Sequence, residues 1–271
     1  MEITLRMGEY ERYLRERGFS QSTVASYVWV AAFFERNYLD VNAETLGRYR
    51  DWLADTFKPR TANQRVQAIN CYLGFLGRED LRLRSVRVQQ RTFLDAAIGD
   101  EDYLCLLSSL RSGGYQRDYH AVRIMATTGV RASELLRMEV RHLRAGYMDV
   151  RSKGKVRRVH IPNSTAREAL AWATSEGRSS GLLFLNRFGH PISARGLSQQ
   201  LKARAGECGV DEELVHPHAF RHLFARRFLE AGGDIAFLAD LLGHSSVETT
   251  RVYLRRTADE QRSELERLIC W

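Results

Sequence analysis

Six polar residues dispersed along this chain, Arg131, Lys153, His218, Arg221, His244 and Tyr253, have side chains that together can carry out one kind of chemistry. Arginine, lysine and histidine bind and neutralise a phosphodiester through charge-assisted hydrogen bonds. A tyrosine hydroxyl can attack such a phosphorus and hold it as a covalent ester. Taken singly, each has an ordinary structural use: histidine as a satisfied core or surface group, tyrosine as packing, arginine as a solvated charge. Their places in the sequence make the case for chemistry.

Two segments near the carboxyl end carry most of it. In VHPHAFRHLFARRFL, Pro217 suits a first helical turn, so His218, Arg221 and His222 fall at i, i+3 and i+4 on one face. Phe220, Leu223, Phe224 and Phe228 lie mainly on the other side and anchor that helix in the core. In DIAFLADLLGHSSVETTRVYL, a helix capped by Asp234 closes at Gly243, and His244 sits in the turn. Ser245 with Glu248 reads as a capping box for the helix that carries Tyr253. Histidines at i and i+4 also resemble half of a metal site, but the glutamate of H-E-x-x-H is missing, and Arg221 would repel a cation.

The remaining elements follow from periodicity. Helices are expected from Glu2 to Arg17, stopped by Gly18; from Ser20 or Ser22, with Val24, Tyr27, Val28, Ala31 and Phe34 as the buried stripe; and from Asn42 to a break at Lys58-Pro59. A fourth begins at Thr61, with Val66, Ile69, Leu73 and Leu76 on one face. Four short amphipathic helices make a bundle. The stretch RLRSVRVQQRT, residues 82–92, breaks this pattern and holds four arginines with no acid, as suits a linker lying along a phosphate backbone; a buried connecting strand is the competing reading. Helical patterns resume at Glu101 to Leu110 and at Tyr119 to Thr128, where Gly129 ends the helix, and another starts near Arg131. Tyr147 to Arg151 and Val156 to Ile161 alternate like strands, a hairpin with Lys153 and Lys155 at its tip. From Ser164 the chain is mostly helical again.

Composition bounds the partner and the compartment. The formal charge of +8 fits a polyanion, although a basic surface without a partner has the same charge. That charge comes from 37 arginines and only four lysines, Lys58, Lys153, Lys155 and Lys202, so a lysine inside a motif stands out. Part of the arginine excess reflects what GC-rich coding would also produce. Cys71, Cys105, Cys208 and Cys270 are far apart and form no C-x-x-C pair, which argues against a disulfide frame or zinc site. The charged amino terminus lacks the apolar centre of a signal peptide, and no segment has the ~18 uncharged apolar residues of a membrane span, so a cytoplasmic protein with no membrane partner is expected.

The segments TTGVRASEL, SKGKVRRVHIP, HPHAFRHLFA and LGHSSVETTRVYL closely resemble the four active-site segments of the tyrosine recombinase family, also called phage integrases, in that family's order. The helical front part, with its G-x-S-x-x-T start, resembles the family's core-binding domain, so the likeness covers nearly the whole chain. It implies a mainly α protein with a small β-hairpin. A helical, SAM-like core-binding domain would span residues 1–84, a linker 85–92, and an α+β catalytic domain with a tail helix 93–271.

The resemblance also implies roles. Arg131 and Arg221 would grip the non-bridging oxygens of the scissile phosphate, His244 would donate a hydrogen bond to it, and Tyr253 would attack to give a 3′-phosphotyrosyl link. His218 would be base or orienting group, Lys153 would protonate the leaving 5′-oxygen with Lys155 as second candidate, and Glu134 and His222 would support the site. Arg84, Arg87, Arg91 and Lys155 would contact DNA outside it. Where the family commonly has Ser or Thr before Phe, this chain has Leu223-Phe224, a change that touches packing more than chemistry. Cofactors are not called for, neither Mg²⁺ nor ATP, because arginine and lysine supply the charge and the tyrosyl ester keeps the bond energy. The expected partners are duplex DNA carrying a specific site, three further copies in a tetramer working through a Holliday junction, and accessory DNA-bending proteins. Bound to DNA, the protein would sit with the nucleoid. The tail residues Leu265, Leu268, Ile269 and Trp271 would dock on a neighbouring subunit or on their own domain. A topoisomerase of type IB, or a DNA-binding accessory protein without catalysis, would share the same likeness.

Overall fold

The computed structural model of the chain describes residues 2–38, 40–86, 98–152, 155–244 and 247–250, with residues 262, 265, 266 and 269 of the tail. Two compact units emerge, Met1–Gln90 and Arg91–Trp271, each with its own buried cluster.

The first unit is four helices. α1 (Glu2–Glu16) ends where Gly18 turns with φ 75°. α2 (Gln21–Asn37) starts at Ser20, whose hydroxyl accepts the Thr23 N–H at 3.3 Å. α3 (Ala43–Thr56) starts at a reciprocal box in which Asn42 and Thr45 satisfy each other's backbone N–H. α4 (Pro59–Phe75) begins two residues earlier than the pattern places it. Pro59, read from sequence as a breaker, is also the first residue of the next helix, where the missing N–H costs nothing. Tyr10, Leu14, Phe34, Tyr49, Leu53, Ile69 and Tyr72 are fully buried between these helices. Each stabilises the bundle by about 2 kcal/mol of area burial before entropy is counted.

An extended segment then runs along α4. Asn63 and Asn70 clip it on: Asn70 accepts the Leu83 N–H (2.8 Å) and donates to the Leu83 carbonyl (2.9 Å), and Asn63 does the same for Val86 (2.7 and 2.9 Å). Two amides seven residues apart thus replace a neighbouring strand, and residues 83–86 lie on the bundle.

The second unit runs α5 (Asp100–Ser112), α6 (Gln116–Thr128), α7 (Ala132–Leu135), α8 (Val140–Ala145), β1 (Tyr147–Ser152), β2 (Lys155–His160), α9 (Asn163–Ser175), α10 (Ala194–Glu207), α11 (Pro217–Glu230), α12 (Ile235–Leu242) and α13 (Val247–Thr250). The two strands form an antiparallel ladder from Tyr147 opposite His160 to Ser152 opposite Lys155. The inner face of β2 carries Val159, buried with Ile161 in a core that includes Val122, Met125, Leu135, Met138, Leu183, Phe184 and Phe220. His120 on α6 is buried flat against Trp172 on α9, ring centroids 4.7 Å apart, and burial pushes its pKa down to about 4. Among the described residues, no helix is long and apolar enough to cross a membrane, and Cys71, Cys105 and Cys208 are free thiols.

Candidate active site

The site is assembled at helix ends. α6 stops because Gly129 takes a left-handed φ of 63°. The absence of a side chain there also lets two other helices close in: a Cβ would lie 2.5 Å from Phe224 of α11 and 2.8 Å from Leu242 of α12. Two residues later, Arg131 has extended backbone and caps α7. Glu134, on the first turn of α7, accepts the Arg131 backbone N–H at 2.9 Å and its Nη1 at 3.0 Å. Glu134 is 3% exposed, and its carboxylate takes a further bond from Nη2 of Arg157 on β2. This short local structure holds Arg131, still about one-third exposed, at the surface of the cluster.

Arg221 enters from α11 and is buried, 3% exposed. Its Nη1 donates to the Gly129 carbonyl (2.6 Å), and Nη2 donates to the Leu242 carbonyl (2.7 Å) and lies 3.1 Å from His244 Nε2. One guanidinium therefore joins the ends of α6 and α12 to the turn after α12. That turn is made by Gly243 at φ 65°, and His244 follows it. Since arginine only donates, His244 Nε2 accepts, which puts the imidazole proton on Nδ1, 2.9 Å from Thr250 Oγ1. Burial, then Arg221, Arg131 and Arg157, push the His244 pKa down to about 4, so the ring is neutral in the unliganded site.

One face of α11 holds the other two histidines. His218 is exposed near the helix start; His222, one turn on, is partly buried, and burial together with His218, His216 and Arg221 lowers its pKa to about 4. The helix itself begins at His216, whose Nδ1 accepts the Ala219 N–H at 3.1 Å. That bond needs an unprotonated nitrogen, and burial with His218 lowers the His216 pKa in the direction the cap requires.

Of the candidates read from sequence, Arg131, Glu134, Arg221 and His244 thus form one cluster, with His218 and His222 on the helix that supplies Arg221. Arg84 is exposed in the clipped segment of the first unit. Lys155 forms the last rung of the ladder with Ser152. Lys153, Tyr253, Arg87, Arg91 and the Ser245 cap, with Leu268 and Trp271 of the tail, lie outside the described residues. Three residues escaped the sequence reading: Arg157, His216 and Thr250. Arg157 did leave a signal, a charged residue in phase with Val159 and Ile161 on the buried face of an alternating strand. Among the described residues, no three His, Cys, Asp or Glu side chains group to hold a metal ion. What the cluster offers is three guanidiniums, one buried carboxylate and a neutral imidazole: a net positive group of side chains suited to an anion.

The chain is similar to known proteins in sequence and in fold. Residues 100–260 match the phage integrase family. The chain is 30% identical to the tyrosine recombinase XerA of Pyrococcus furiosus, over 98% of this chain and 96% of that protein. It is 33% identical to XerA of Thermococcus kodakarensis, over 96% and 93%. Among solved structures, a lambda integrase tetramer bound to a Holliday junction shares the fold with a TM-score of 0.74 at 17% identity, covering 92% of this chain and 76% of that one. By its sequence, the chain belongs to the phage integrase family, the tyrosine recombinases.

Proposed function

We propose that the chain is a site-specific DNA recombinase in which Arg131, Arg221 and His244 bind the scissile phosphate and Tyr253 attacks it. The observation that carries this reading is the bonding of Arg221 to Gly129, Leu242 and His244, which gathers three distant segments into one positively charged cluster. Because that guanidinium is fixed before DNA arrives, little reorganisation accompanies charge development at phosphorus.

In the reaction, the Tyr253 oxygen bonds to phosphorus while the bond to the 5′-oxygen breaks, leaving a 3′-phosphotyrosyl ester. A free phenol with pKa ~10 needs a base at neutral pH, and His218 at the exposed start of α11 takes that proton or orients the ring. Lys153, with Lys155 as the second candidate, supplies the proton for the leaving 5′-hydroxyl. Glu134 holds Arg131, and His222 supports His218 from the next turn. Burial and then the neighbouring arginines keep His244 neutral; a phosphate between those arginines offsets their part, so its pKa rises and Nε2 can donate to the phosphate. Rejoining is the reverse of cleavage with a new 5′-hydroxyl and needs neither metal nor nucleotide.

Recombination in this reading pairs two DNA sites within a homotetramer, as in the lambda integrase tetramer on a Holliday junction. Leu265 and Ile269, both exposed and four residues apart, would be the described part of a tail docked on a neighbouring copy. Arg84, Arg87 and Arg91 would follow the phosphate backbone outside the site. The protein would work in the cytoplasm at the nucleoid, with DNA-bending proteins as accessory partners.

A nicked duplex that traps the covalent intermediate tests the central step. Wild type should form a protein-DNA adduct and Tyr253→Phe none; equal adduct with both would rule out Tyr253 as nucleophile. A plasmid with two target sites then separates recombination from simple relaxation, because only recombination rearranges the DNA between them.

A further inference from the structure

Arg157 lies where no direct contact with a phosphate is needed to matter. Its side chain is 11% exposed and bridges two parts of the site that are remote in sequence. Nη2 donates to Glu134, the carboxylate that also holds Arg131, and Nη1 donates to the Leu241 carbonyl at 2.8 Å. Arg221 takes the next carbonyl, that of Leu242. The last carbonyls of a helix have no partner within it and attract cations, so two guanidiniums on successive carbonyls close the end of α12. The turn that carries His244 is packed onto the same side chain: a Cβ on Gly243 would lie 2.3 Å from Arg157 Cδ and 2.8 Å from its Nε.

We propose that Arg157 is a positioning residue for strand cleavage, a buried cation that fixes Arg131 through Glu134 and fixes His244 through the end of α12, so that the two halves of the phosphate site keep one spacing. The inference rests on the active site proposed above. Lysine cannot replace this function in full, because one ammonium does not span both acceptors with a planar fork. Burial draws the Arg157 pKa below the ordinary arginine value against the opposing pull of Glu134, yet arginine stays charged at any working pH. Its charge therefore does not switch; its geometry matters.

The test uses full-length protein, a nicked suicide duplex at saturating concentration and a temperature well below each variant's melting point. Displacement of reacting groups by about 1 Å costs about 100-fold in rate, and a loss of that order is expected for adduct formation by Arg157→Met, with DNA affinity within about threefold of wild type. Arg157→Lys should fall between. If Arg157 acts through Glu134, the double variant Arg157→Lys/Glu134→Gln should be no slower than the slower single variant, whereas independent effects multiply. Wild-type cleavage rates in both Arg157 variants, or multiplicative losses in the double variant, would overturn the proposal. A lower melting temperature with an unchanged rate would show a structural role only and would overturn it equally. Arg157→Lys, which keeps the buried charge, carries the comparison if the methionine variant does not fold. Absence of adduct with wild type would instead count against the active site itself.

Discussion

A buried carboxylate is stable only if donors replace the water it has lost, and Glu134 meets that condition with the Arg131 backbone, the Arg131 side chain and Arg157. Removing the carboxylate takes the acceptor from the buried Arg157 guanidinium and from Arg131, so Glu134→Ala should lower stability by about 3 kcal/mol, measured by urea unfolding. A loss below about 0.5 kcal/mol, the range of ordinary surface changes, would contradict the network. The histidines obey the opposite rule. His222 and His244 have folded-state pKa values near 4 against an ordinary 6.5. Folding favours their neutral forms, so their contribution to stability is fully present above pH 6.5 and is lost as pH falls through about 4. NMR titration of the free protein should give both rings midpoints well below 6.5. With uncleaved DNA bound to Tyr253→Phe, the His244 midpoint should rise; an unchanged midpoint would mean that no phosphate sits beside it.

Among the elements, glycine-terminated helices do more than stop. Gly129 and Gly146 both have positive φ, 63° and 75°, but a Cβ at 146 meets nothing within 4 Å, whereas one at 129 meets Phe224 and Leu242. Gly146→Ala should cost about 1 kcal/mol, from the backbone alone. Gly129→Ala should cost about 1–3 kcal/mol more, because it also forces α11 and α12 apart, and it should slow cleavage by displacing the carbonyl that holds Arg221. Equal costs in paired thermal denaturation would remove the packing argument. The helix ends at Ser20, Asn42, Asp234, Gly129 and Gly243 were legible in the sequence, because a cap or a left-handed stop is decided within a few residues. Arg157 was not: its partners lie 23 and 84 residues away, and it is one of 37 arginines. His216 was hidden for another reason, since capping oxygens are sought at that position and here a ring nitrogen accepts the bond. Asn63 and Asn70 read as ordinary polar positions of α4, and only the path of residues 83–86 gives them a task.

At the level of the whole molecule, two separately cored units share one basic chain of net charge +8. Each phosphate neutralised releases counterions, so the plot of log affinity for duplex DNA against log salt should have a slope steeper than about −3 between about 50 and 300 mM KCl. Fluorescence anisotropy with labelled duplex measures it, and a slope near zero would exclude a backbone-dominated interface. Arginine sets this behaviour almost alone, since lysines number four. The stacking of His120 on Trp172 has a use of a different kind. Imidazolium quenches indole emission where neutral imidazole does so weakly, and His120 charges only as pH falls towards 4. Trp29 and Trp52 stand in the first unit, stacked on either side of Phe33, away from any histidine ring contact among the described residues. Acid-dependent dimming of the Trp172 indole would therefore report protonation of His120 inside the second unit without an added dye.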